Sequence, residues 1–97
     1  MSKEKQLERF IDSLNLRYFK GAEFTWLWSR TRKGVVNSCP PESLWDNCVK
    51  PLVVLDEIRH ISGTPIKVTS AYRSPAYNKA VGGESMSYHM AFMALDF

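Results

Sequence analysis

Leu7, Phe10, Ile11 and Leu14 fall at helical spacing among Lys, Glu and Arg, which predicts an amphipathic helix from about Ser2 to Leu14 with its apolar stripe turned to a core. Beyond Gly21, the spacing of Phe24, Leu27 and Trp28 predicts a second short helix over Ala22 to Trp28, with Trp26 and Trp28 as packing residues. Arg30 to Pro41 carries Gly34, Asn37, Ser38 and a Pro-Pro pair, which is turn and loop chemistry. Then Leu44, Cys48, Leu52, Leu55, Ile58 and Ile61 hold one face of the longest helix, and Gly63 followed by Pro65 supplies its stop. Pro51 lies inside that pattern and predicts a kink, since proline removes a backbone donor and clashes with the preceding turn.

The stretch IKVTSAY from Ile66 to Tyr72 alternates and is rich in β-branched residues, as a strand would be. Ser74-Pro75 matches an N-cap serine followed by proline at the first helical position, so PAYNKAV should form a short helix ended by Gly82-Gly83. The final ALDF returns to strand character. Together the elements predict an α+β fold, with N-terminal helices on a small antiparallel sheet that includes Ile66 to Tyr72 and Ala94 to Phe97.

Composition narrows the class. Ninety-seven residues, 44% hydrophobic and 12% aromatic, make one small folded domain and leave no room for a second. The net charge is +3, from 13 Lys and Arg against 10 Asp and Glu. Arg17, Lys20, Arg30, Arg32 and Lys33 fall in one 17-residue stretch, the last three around a predicted turn at Gly34. Such a cluster reads as a solvated loop or as steering toward an anionic partner such as cell-wall polymer, and it lacks the helical or aromatic setting of a nucleic-acid binder. The start, MSKEKQLERFID, has no apolar signal core, and the apolar run Pro51 to Leu55 is too short to span a membrane. The expectation is a chain made in the cytoplasm, with no membrane and no nucleic acid among its partners. Cys39 and Cys48 read as free thiols.

Chemistry concentrates in the last residues, SYHMAFMALDF. His89 and Asp96 are both good ligands for zinc, and a catalytic zinc takes three protein ligands and leaves the fourth position to water. An offset of seven places two residues on opposite faces of a strand. His89 is therefore expected on the loop entering the strand and Asp96 on the strand, with Ala94 beside Asp96 and with Met93, Leu95 and Phe97 in the core. By themselves the two residues fit more readily a satisfied loop histidine and a surface or capping carboxylate.

Their surroundings change that reading. Ser70-Ala71-Tyr72-Arg73-Ser74, Asn78, Gly82-Gly83, then Ser87, His89, Ala94 and Asp96 resemble the zinc D-Ala-D-Ala carboxypeptidase family, which shares its fold with the D-Ala-D-Ala dipeptidases and the hedgehog signalling domain. Its members carry Ser-Gly-Tyr-Arg-Ser at a strand end, then an Asn, a Gly-Gly and Ser-x-His-x-x-Gly-x-Ala-x-Asp. The upstream VLDEIRHISGTPI also looks like the family's leading helix, so the resemblance covers about Phe19 to Phe97, with residues 1–18 as a helical lead.

The resemblance implies a zinc cofactor held by His89 and Asp96. It implies that Arg73 binds the substrate carbonyl or carboxylate, a role that suits a planar permanent cation. Ser87 and Asn78 would shape the loop and orient ligands. It further implies a hydrolase of peptidoglycan stem peptides, a D,D-carboxypeptidase or an endolysin-like enzyme that acts on the cell wall if the chain is a phage or prophage lysis protein. Two positions depart from the pattern. Phe92 occupies the family's usual glycine, where an aromatic is expected to alter the loop or cover the site. The family's third ligand, a histidine, and its general-base glutamate lie downstream of the aspartate, outside these 97 residues. His60 and Glu84 are poor substitutes by position. The alternative is a truncated or degenerate relative, serving as a non-catalytic binding or structural subunit of a phage or prophage particle.

Overall fold

A computed structural model describes residues 1–84 and 86–97. Helix α1 runs Lys3–Asp12, and the Ser2 hydroxyl caps it by accepting from the Lys5 N–H at 3.2 Å. Leu7 and Ile11 are its buried positions. The second predicted helix forms as a 3-10 helix, Gly21–Ser29. It docks on α1 so closely that a Cβ at Gly21 would strike the Glu8 backbone. Thr25 Oγ1 donates to Glu8 Oε1 at 2.7 Å and the Gly21 N–H to Asp12 Oδ1 at 2.8 Å, which fixes the crossing of the two helices. Trp28 is buried as expected. Trp26 is 40% exposed instead, with the Arg30 and Lys67 cations over its ring.

The segment expected to be loop contains the one regular sheet among the described residues. Strands β1 (Thr31–Arg32) and β2 (Val35–Val36) pair antiparallel, with Thr31 opposite Val36 and Arg32 opposite Val35. Lys33 and Gly34 join them, both at positive φ, 51° and 78°, the conformation of the hairpin turn whose twist matches the strands. The architecture is α+β, but its sheet is this hairpin. Ile66 to Tyr72 and Ala94 to Phe97 meet only at an isolated antiparallel bridge, Ser70 with Asp96. Alternation does persist there, with Val68 buried between exposed Lys67 and Thr69. Side-chain pattern alone makes no ladder, because each strand needs a partner along its length.

The long apolar face divides as well. A 3-10 helix spans Glu42–Cys48, and helix α2 starts afresh at Val49 and runs to Ser62, closed by Gly63 at φ 67°. Pro51 therefore sits in the first turn of α2, where N–H groups have no intrahelical partner, and introduces no kink. Leu52 and Leu55 are buried, whereas Ile61 is 76% exposed. Between them Asp56 turns inward, and its carboxylate accepts from the Arg17 N–H at 3.1 Å and the Tyr18 N–H at 2.9 Å. This side chain gives the chain leaving α1 its anchor.

Both cysteines are unpaired. Burial pushes the Cys48 thiol up to about 12 and the Cys39 thiol up to about 11, so both stay protonated at neutral pH. No helix among the described residues is long and apolar enough to cross a membrane.

Helix α3, Pro75–Ala80, follows its local signals: Ser74 Oγ accepts from the Tyr77 N–H at 3.1 Å and proline opens the first turn. Ser74→Ala is expected to lower the unfolding free energy by about 1 kcal/mol. Urea denaturation checks this, and an unchanged midpoint would mean the cap contributes nothing.

Candidate metal centre

Asn37, buried on the exit from β2, positions the segment that carries the site. Its amide donates to the Leu27 carbonyl at 3.0 Å and the Tyr72 carbonyl at 2.9 Å, and its oxygen accepts from the Ser74 N–H at 2.9 Å. Three elements meet on that one side chain, so the backbone on either side of Arg73 is held from within the core.

His89 rides on a short 3-10 helix, Tyr88–Ala91, whose N-cap is Ser87. The Ser87 hydroxyl accepts from the His89 N–H at 3.1 Å. The helix is tied to its surroundings twice more. Asn47 Nδ2 donates to the Ala91 carbonyl at 2.9 Å, and the Arg73 N–H donates to the His89 carbonyl at 3.1 Å.

Phe92 closes this helix in the left-handed region, at φ 60° and ψ 33°. That conformation explains why glycine suits the position. A side chain there costs about 1–2 kcal/mol, while burying a phenylalanine ring returns up to about 3 kcal/mol. Burial wins: Phe92 is 2% exposed and packs edge-on against Trp28 and Tyr72. The ring enters the core instead of covering the site. Phe97, expected inside, is 66% exposed, and Met93 is exposed as well.

Within this frame His89 Nδ1 lies 2.6 Å from the Ala71 carbonyl. A carbonyl only accepts, so Nδ1 carries the hydrogen and Nε2 points its remaining valence at Asp96 Oδ1, 3.4 Å away. Two lone pairs facing each other repel unless a proton or a metal cation lies between them. Donors 3.4 Å apart, each about 2.0–2.2 Å from one ion, subtend an angle of about 110° there, close to the tetrahedral value that zinc prefers. The donor set and its spacing fit zinc, and the Ala71 carbonyl is the kind of outer partner that fixes a ligating histidine.

The other carboxylate oxygen of Asp96 faces Arg73, with Nη2 to Oδ2 at 3.5 Å. The guanidinium is also held by Asn78 Oδ1, 3.4 Å from Nη1. Asn78 is buried and donates to the Glu84 carbonyl at 2.7 Å, and Gly83 leaves it room, since a Cβ there would collide with its side-chain oxygen. Arg73, Asn78, Ser87, His89 and Asp96 are thus brought together. His60 is elsewhere, its Nδ1 3.0 Å from the Tyr18 hydroxyl. Among the described residues no three His, Cys, Asp or Glu side chains form a group able to hold a metal.

Sequence reasoning did not anticipate the wall of this cleft. A cavity of ≈ 350 Å³ is lined by Arg30, Arg32, Thr69, Ser70, Arg73 and Asp96, together with Tyr77 and Val81. The basic cluster around Gly34 was the one available signal, and it carried no information on where the hairpin folds.

No curated protein and no solved structure matches the chain. A family model described as Peptidase M15 matches residues 17–97.

Proposed function

The chain belongs to the peptidase M15 family, and from that premise we propose that it is a zinc-dependent peptidase domain acting on peptidoglycan stem peptides next to D-alanine. The observation that carries this reading is the pairing of His89 Nε2 with Asp96 Oδ1 at 3.4 Å, with the histidine turned by the Ala71 carbonyl. When bound, zinc supplies an acidified water and polarises the scissile carbonyl. The chain's own residues do the positioning. Ala71 keeps the hydrogen on Nδ1, so that Nε2 faces the centre. Arg73 steadies the second oxygen of Asp96 and presents a fixed positive charge where negative charge develops on the substrate oxygen. Asn78 keeps that guanidinium in the cleft.

Two donors make a weak site, and among the described residues no third His, Cys, Asp or Glu joins them. A third donor and a base from further polypeptide, in the same chain or a partner, would complete the centre. That donor count favours a second reading for these 97 residues alone, a binding subunit that does not turn substrate over. Two measurements test the pair. Cobalt(II), a spectroscopic stand-in for zinc, should give visible absorption that saturates at one ion per chain, and absence of that band would overturn the metal reading. The 97 residues alone should not hydrolyse an N-acylated D-Ala-D-Ala peptide, because ligand count and a placed base both contribute to rate. Turnover by this chain that disappears on chelation would show that the centre is already complete.

A further inference from the structure

A second cavity, of ≈ 500 Å³, opens where the 3-10 helix Gly21–Ser29 meets the chain at Pro65 to Val68. Phe19, Phe24 and Val68 are buried and form its floor, with the two phenylalanine ring centroids 6.2 Å apart. Exposed Trp26 and half-buried Ile66 add apolar wall. The metal cleft lies further along the same stretch, at Thr69, Ser70 and Arg73, and the two cavities share no lining residue.

Charge enters this second cavity through Arg59, Lys67 and Glu23. Both cations are held by neutral groups. Arg59 Nη1 donates to the Tyr18 carbonyl at 3.1 Å and the Ile66 carbonyl at 3.4 Å, and its guanidinium lies 5.3 Å from the Phe19 ring centroid. Lys67 Nζ lies 5.1 Å from the Trp26 ring centroid, and Arg30, 5.3 Å from the same centroid, adds a third positive charge beside it. Among the described residues none of these three cations has a carboxylate within ion-pair distance. Glu23 turns to the backbone, accepting from the Lys20 N–H at 2.6 Å. Aromatic surface left in water and cations left without a counter-charge are both relieved by one kind of molecule, an apolar body with a negative head. Against apolar walls that charge contact is stronger than on an open surface.

We propose that this cavity binds a small amphiphilic monoanion, a carboxylate carrying an aromatic ring or a short alkyl chain. Its apolar part lies over Phe19, Phe24 and Val68, and its carboxylate meets Arg59 and Lys67. The volume of ≈ 500 Å³ falls within the roughly 300–1,000 Å³ of small-molecule sites. The site works independently of the metal centre.

The test titrates the 97-residue chain, without metal, with 2-naphthoate, 2-naphthamide and acetate, following backbone and indole N–H signals by NMR. Naphthoate should saturate and shift the signals of Trp26, Lys67 and Val68. Naphthamide should bind at least about tenfold more weakly, acetate should not saturate, and added salt should narrow the gap between acid and amide. Lys67 is exposed, so Lys67→Gln should keep the fold and weaken naphthoate binding about threefold to tenfold, whereas Lys67→Arg should leave it close to the original. Equal binding of acid and amide, or an affinity unchanged in Lys67→Gln, would overturn the site. So would shifts confined to Arg73, His89 and Asp96, which would put the anion in the metal cleft. Phosphatidylglycerol vesicles are the last probe: binding to them without binding of naphthoate would overturn the small-molecule site and make this face a membrane surface.

Discussion

Substituting alanine for His89 should abolish cobalt absorption and lower zinc affinity by more than about 100-fold, since loss of even an outer partner of a metal ligand costs 10- to 100-fold. Asp96→Asn should weaken binding as well. It keeps a weak oxygen donor, loses the charge, and leaves Arg73 without its partner at 3.5 Å. The fold should survive both, because His89 and Asp96 lie outside the hydrophobic core. Calorimetric zinc titration with a parallel urea curve checks this. Undiminished zinc uptake by His89→Ala would place the cation elsewhere, and collapse of the fold would recast the histidine as a structural residue.

Removal of the Phe92 ring should have the largest effect on stability. Phe92→Ala empties the space between Trp28 and Tyr72 and is expected to lower the unfolding free energy by about 3–5 kcal/mol. Phe92→Gly makes the same cavity, yet should be the more stable of the two. At φ 60° the absence of a Cβ relieves about 1–2 kcal/mol, which outweighs the usual entropic penalty of glycine, roughly 0.5–1 kcal/mol. Chemical denaturation of the three proteins decides it. If alanine proves better than glycine, the left-handed conformation at this position is wrong.

The contrast between these residues and the strands explains what could be read from the chain beforehand. Ser2, Ser74 and Pro75 act on backbone groups within a turn of themselves, so their effect is present in the local sequence. The two-residue strands Thr31–Arg32 and Val35–Val36 are shorter than any alternation that marks a strand. Ile66 to Tyr72 shows the reverse case, a full alternating pattern for which the fold supplies a partner only at Ser70. Motif spacing singled out Arg73, Asn78, Ser87, His89 and Asp96 as candidates; in the fold Arg73 contacts Asn78 and Asp96, His89 faces Asp96, and Ser87 caps the turn that carries His89. Their orientation was not legible. It depends on Ala71 turning the imidazole, on Asn37 gripping Tyr72 and Ser74, and on Asn47 reaching Ala91, contacts between residues 18, 35, 37 and 44 positions apart. Arg30 and Arg32 were visible as charge, and only the fold reveals what they face.

The bridge between Ser70 and Asp96 has a consequence for how the centre would be switched on. Asp96 donates its N–H to the Ser70 carbonyl at 2.8 Å and its carbonyl accepts from the Thr69 N–H at 2.8 Å, with no regular ladder to reinforce the pair. A segment secured so sparsely can detach at a small fraction of the free energy needed to unfold the helices. A cation shared by His89 and Asp96 would bind only the docked form and so would act as a latch, raising the free energy of detachment by RT ln(1 + [L]/Kd). The same sparse fastening works in the other direction. Whatever strengthens the docking of Thr69 and Ser70 against the Asp96 backbone would raise metal affinity without touching a ligating atom, so occupancy of the centre would depend on hydrogen bonds that never meet the ion.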